Sequence, residues 1–211
     1  MQTIFSPFST LRKLAGPKLL EDVKNHPEKV HTALEVITET TINFVKAHLD
    51  TGVHGFFLAT QNATPDVMTQ EDFRAFGIDY DLQVMKAYQD ETYFNIIHLH
   101  GDNVYFELVD KEYPVSCINW HDRHTAPSLA EARKISNKCF LGGIQEVPYF
   151  VGNVLHYDSI LATKNAEDIL AHAKEALHSI GDRGLILGPG CVADPKTPEE
   201  NLHALRQAVN R

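Results

Sequence analysis

Two imidazoles stand two residues apart in the run Phe94-Asn95-Ile96-Ile97-His98-Leu99-His100-Gly101. The run reads as a buried strand closed by the turn residues Gly101-Asp102-Asn103. Successive side chains of a strand point to opposite faces, so Phe94, Ile96, His98 and His100 share one face. Two such imidazoles at a strand end can reach one metal ion of the Zn²⁺ type; they can equally form a hydrogen-bonded pair. A distant apolar run, Leu185-Ile186-Leu187, is closed by the turn Gly188-Pro189-Gly190-Cys191. Cys191 could supply a thiolate, a soft third ligand.

Other polar residues fall just after apolar runs: Ser6, Thr60-Gln61, His121-Asp122 and Gln145-Glu146. In a βα array, positions after strands collect on one rim, where barrel and doubly wound enzymes carry out their chemistry. His121, Asp122 and Glu146 are candidates for a fourth ligand or a general base, and they form the catalytic set. Ser6, Gln61, Trp120 and Arg123 are candidates for holding substrate. Trp120 and Tyr105 have the shape to line a pocket, and Arg123 the charge to meet an acidic group. Cys117 and Cys139 sit inside apolar runs and read as packing residues.

The elements that must position these groups follow an α/β pattern. Apolar runs at 3–5, 53–59, 94–100, 115–120, 139–144 and 184–187 read as strands that are apolar on both faces. Between them lie helical patterns: residues 11–24 broken at Gly16-Pro17, a long helix opened by Pro27 and closed near Gly52, and one over 81–88. Ser128-x-x-Glu131 is a capping box, and Asn165 opens a helix that ends at Gly181. Thr197-Pro198-Glu199-Glu200 reads as a cap and capping box for a last helix burying Leu202, Leu205 and Val209. Residues 104–110 fit no template. Strands alternating with helices imply a parallel sheet covered by helices, in a single domain over residues 1–211.

The 211 residues are enough to bury a sizeable core. A formal charge of −9 with no basic stripe argues against nucleic acid and anionic membrane as partners. No apolar stretch approaches the ~20 residues needed to span a bilayer. Three cysteines do not make a disulfide framework, and no signal peptide is recognisable, so a cytoplasmic location is expected.

The chain resembles the uroporphyrinogen decarboxylase family, which includes the methylcobamide:coenzyme M methyltransferases. The matches are Ile4-Phe5-Ser6-Pro7-Phe8 with Leu11, Gly52-x-x-Gly55, Ile97-His98-Leu99-His100-Gly101 and Leu141-Gly142-Gly143-Ile144. Ile186-Leu187-Gly188-Pro189-Gly190-Cys191 and Thr197-Pro198-x-Glu200-Asn201 complete them. The resemblance implies a TIM-barrel-type (β/α) fold, here with six βα units and so incomplete, lacking the two N-terminal ones. It also implies a zinc site, because the methyltransferase branch uses a His-x-Cys pair on one strand and a distant Cys. By position these are His98, His100 and Cys191, with histidine where the branch has its first cysteine, which makes the site harder.

The function implied is methyl transfer between a corrinoid-type carrier and a thiol. The alternatives are uroporphyrinogen decarboxylation of a tetrapyrrole in porphyrin biosynthesis, and a non-catalytic truncated subunit that needs a partner. An open array of six strands would expose a sheet edge, so a homo-oligomer or a companion chain is expected to cover it.

Overall fold

The structure, a computed structural model, describes all residues except 146–148, 152–153, 157–158, 182 and 210–211. The chain falls into two compact units, Met1–Cys117 and Ile118–Arg211.

In the first unit, β1 (Gln2–Phe5), β2 (Phe56–Thr60) and β3 (Ile96–Leu99) stand side by side in that order and run parallel. β1 leads into α1 (Pro7–Ala15), capped by the Ser6 side chain and stopped at Gly16, then α2 (Leu19–Asn25) and α3 (Pro27–Leu49). Pro27 opens α3, where its missing N–H costs nothing. The buried line of α3 is Val30, Leu34, Thr38 and Val45. Phe44 lies off that line, 44% exposed, with its ring against His48. After β2 come α4 (Gln70–Phe73), capped by Thr69, a π-helical turn (Arg74–Ile78) and α5 (Asp79–Lys86). All four residues of β3 are buried, as expected of a parallel strand covered on both faces. The segment without a sequence template folds as α6 (Phe106–Glu112).

β4 (Cys117–Trp120) crosses the unit boundary and leads into the second unit. There it is followed by α7 (Leu129–Ile135) and β5 (Cys139–Ile144). Both bonds of the Ser128–Glu131 capping box are formed. A two-stranded antiparallel piece follows, β6 (Tyr149–Val151) and β7 (Val154–His156), which the sequence patterns do not signal. The unit ends with α8 (Ile160–Thr163), α9 (Ala166–Ile180), β8 (Leu185–Pro189) and α10 (Glu199–Gln207). β5 lies between β4 and β8, and β5 and β8 run parallel. α9 packs on β5 and β8, and Ile144, Leu161, Ile169, Ala173 and Ala204 form the core beneath it.

The last helix differs from its sequence reading. It starts at Glu199, and the Thr197 hydroxyl donates to the Asp194 carbonyl at 2.7 Å instead of capping the helix. Its buried residues are Asn201 and Ala204, while Leu202 and Val209 are about half exposed. No helix among the described residues is long and apolar enough to cross a membrane.

Candidate metal centre

In the first unit, two histidines stand at the end of β3. His98 is level with Ala59 of β2, 5% exposed, with the Phe57 ring stacked 5.7 Å away. The His100 N–H extends the ladder by donating to the Thr60 carbonyl at 3.0 Å, and its side chain is exposed. The two rings are 5.9 Å apart between centroids, and a ring nitrogen of each lies within 4.8 Å of the other. Two nitrogens this close at the mouth of a strand can share one cation.

In the second unit, a histidine and a thiol follow two of the strands. His121 follows β4 at the apex of a three-residue turn, in which the Asp122 N–H donates to the Trp120 carbonyl at 2.9 Å. The His124 and Thr125 N–H groups both donate to the His121 carbonyl, so the backbone is held on each side of this residue. Cys191 follows β8; the Gly190 N–H before it donates to the Ile144 carbonyl of β5 at 3.3 Å. Cys191 is in no disulfide and is partly buried. A His121 ring nitrogen and the Cys191 sulfur lie within 4.8 Å of each other. One imidazole and one thiol at that separation are again a pair suited to zinc.

Asp122 has a different setting. Both its carboxylate oxygens accept the Gly143 N–H, at 3.0 and 3.1 Å, and its side chain is 1% exposed. Gly142 makes the room for it, since a methyl group there would stand 2.5 Å from Asp122 Oδ1. Arg123 donates from Nε to the Gly143 carbonyl at 2.7 Å and pairs with Glu175 at 2.6 Å. Beside it, burial and the Arg123 charge push the His172 imidazole down to about 4. Trp120 is fully buried, donates from Nε1 to the Pro127 carbonyl at 2.8 Å and meets Phe140 edge-on. Glu146 lies outside the described residues.

Ser6 and Gln61 meet a network that ties the ends of β1 and β2 together. The Ser6 hydroxyl is fully buried, accepts the Ser9 N–H at the start of α1 and donates to Ser9 Oγ at 2.7 Å. Ser9 Oγ accepts the Gln61 N–H at 2.9 Å. Asn62 Oδ1 accepts the Thr60 and Ser9 hydroxyls, and the Ser6 oxygen lies 3.4 Å from it.

Sequence reasoning missed two buried amides, Asn62 and Asn119. The signal was there in both cases: an asparagine at a strand end, and one inside the apolar run Cys117-Ile118-Asn119-Trp120. A buried amide must find partners, and finding them fixes strands against one another.

The uroporphyrinogen decarboxylase (URO-D) family profile matches residues 3–211. Among characterised relatives, a Methylated-thiol--coenzyme M methyltransferase of Methanosarcina mazei is 22% identical over 96% of this chain and 50% of its own. A Methylcobamide:CoM methyltransferase MtaA of Methanosarcina barkeri is 27% identical over 82% of this chain and 46% of its own. In three dimensions a methyltransferase from Methanosarcina mazei superposes with a TM-score of 0.77 at 22% identity, covering 98% of this chain and 57% of its own. The fold is therefore the TIM-barrel-type α/β fold expected from the sequence, with six βα units of an incomplete barrel. The chain spans about half the length of the curated relatives it matches.

Proposed function

The chain belongs to the uroporphyrinogen decarboxylase family, and on that footing we propose that it is methyltransferase-like, transferring methyl between a corrinoid-type carrier and a thiol. We propose further that His98, His100, Cys191 and His121 hold one zinc ion. The observation that carries the reading is the close approach within each pair, His98 with His100 and His121 with Cys191. The donor chemistry fits: three imidazoles and one thiolate are nitrogen and sulfur ligands of the kind zinc takes in four-coordinate sites. The names of the characterised relatives, both methyltransferases acting with coenzyme M, support the same reading.

Zinc, when bound, would supply Lewis acidity that favours the thiolate form of a substrate thiol at neutral pH, the exposed His100 giving up its place to the thiol. The rest falls to the chain. In the transfer, the thiolate sulfur forms a bond to the methyl carbon while the bond from carbon to carrier breaks, and the bonding pair leaves with the carrier. The thiol proton goes to solvent. His100, the exposed member of the set, gives substrate a way in, while His98 and His121 are buried and give the site its rigidity. Ser6 and Gln61 shape the β1 and β2 ends of the rim, and Trp120 and Arg123 brace the β4 end.

The test is metal analysis of the purified chain beside a His98→Ala variant, followed by a methyl-transfer assay with methylcobalamin and a small thiol. About one zinc per chain is expected, lost in the variant together with thiol methylation. Metal content that is low and unaffected by the substitution would contradict the reading. Loss of carboxylates from added uroporphyrinogen would favour the decarboxylase alternative instead.

A further inference from the structure

His121 and Cys191 follow different strands with β5 between them, so something other than a shared ladder must set their separation. Two side chains of the β4 end reach across. Asn119 is 1% exposed, and its Nδ2 donates to the Leu141 carbonyl of β5 at 2.7 Å and to the Pro189 carbonyl of β8 at 3.2 Å. Pro189 stands two residues before Cys191, so this one amide joins the strand that carries His121 to the strand that carries the thiol. On the other side of His121, the Asp122 carboxylate holds the Gly143 N–H with both oxygens. Gly143 is itself level with Gly188 of β8. His121 is thus the apex of a turn whose flanks are both fastened to β5, and through β5 to β8.

We propose that Asn119 and Asp122 are positioning residues that clamp β4 to β5 and β8 and so set the gap between His121 and Cys191 for a metal ion. The inference rests on the metal reading above and deepens it. It also gives Asp122 a role other than proton transfer. A carboxylate that accepts the same backbone N–H with both oxygens, 1% exposed, is built to hold a loop in place. The Gly142-Gly143 pair is then explained by the same clamp. Gly142 leaves space for the carboxylate, and Gly143 supplies the donor at a φ of +92°. Groups that orient a ligand without touching the metal typically control metal affinity by about 10–100-fold.

The experiment is a Co²⁺ titration of the full chain, reading affinity and the sulfur-to-cobalt charge-transfer band. It compares Asn119→Asp, Asp122→Ala, Asp122→Asn and Gly142→Ala with the wild type, with a thermal unfolding curve for each. Asn119→Asp keeps the shape but removes the amide donor. Asp122→Asn keeps a carbonyl acceptor for the Gly143 N–H, and Gly142→Ala displaces the carboxylate while leaving it present. Asn119→Asp, Asp122→Ala and Gly142→Ala are expected to weaken Co²⁺ by about 10–100-fold and to shrink the band, while Asp122→Asn stays within about threefold of the wild type. Wild-type affinity and band in Asn119→Asp and Asp122→Ala overturn the proposal, as does a loss in Asp122→Asn as large as in Asp122→Ala.

A second arm uses no metal: the ring resonances of His121 in ¹⁵N-histidine-labelled protein. One sharp set in the wild type, broadened or doubled in Asn119→Asp and Asp122→Ala, supports the clamp; unchanged spectra overturn it. If the wild type takes up no cobalt, the one-ion reading fails, and this arm alone decides the clamp.

Discussion

Asp81 of α5 is fully buried, and its carboxylate accepts the Tyr113 hydroxyl at Oδ2, at 2.7 Å. Among the described residues, Asp81 Oδ1 and the buried Tyr88 hydroxyl have no hydrogen-bond partner. Loss of water outweighs the help of Tyr113 and lifts the Asp81 carboxyl to about 7. The native state therefore holds a proton that the unfolded chain releases near the ordinary value of 3.8. The sign follows from that difference. The contribution of Asp81 to stability is fully present below the unfolded value and is lost as pH rises through about 7, by at most about 4 kcal/mol. Urea unfolding of the wild type at pH 5 and pH 8.5 should show this fall, and Asp81→Asn should flatten it. Parallel curves for the two proteins would show that Asp81 is not the group responsible.

Asn201, in the Thr-Pro-x-Glu-Asn motif, shows how one side chain can set the facing of an element. Its Nδ2 donates to the Leu161 carbonyl at 2.8 Å and the Lys164 carbonyl at 2.7 Å, fastening α10 to the end of α8. Asn201→Ala leaves two carbonyls short of a donor and is expected to cost about 2 kcal/mol. A denaturant midpoint that moves by less than about 0.5 kcal/mol would contradict this. The same bonds explain why the apolar pattern of α10 misleads: Asn201 and Ala204 face inward and leave Leu202 and Val209 half exposed. Elements whose signals are local were legible in the sequence, such as the Ser128–Glu131 capping box and the Asn165 cap. α6 was not, because its apolar residues fit a strand as well as a helix. What fixes its start is Tyr105, whose N–H donates to the Ala63 carbonyl and whose hydroxyl donates to the Met68 carbonyl. Such distant tethers leave no periodic trace.

At the scale of the whole chain, the strand pattern and the period-two placement of His98 and His100 were readable because a strand dictates which side chains share a face. The approach of His121 to Cys191 was not, because it depends on β4, β5 and β8 standing in that order, fastened by Asn119. β1 stands at one end of the order β1-β2-β3, and β8 at one end of the order β4-β5-β8. β1 carries Phe5 at 41% exposure and β8 carries Ile186 at 42%. A strand at the end of a sheet, with apolar side chains exposed, invites pairing with another chain. Sedimentation of the purified protein should give a species heavier than the 23.7 kDa chain, and a stable monomer would contradict that expectation. The central claim is that three imidazoles and one thiol meet on a single cation, and X-ray absorption at the zinc edge of the loaded chain addresses it most directly. The account predicts one sulfur at about 2.3 Å and three nitrogens at about 2.0–2.1 Å, with the sulfur shell gone in Cys191→Ser. A zinc spectrum with no sulfur shell in the wild type, or one unchanged by that substitution, would contradict it.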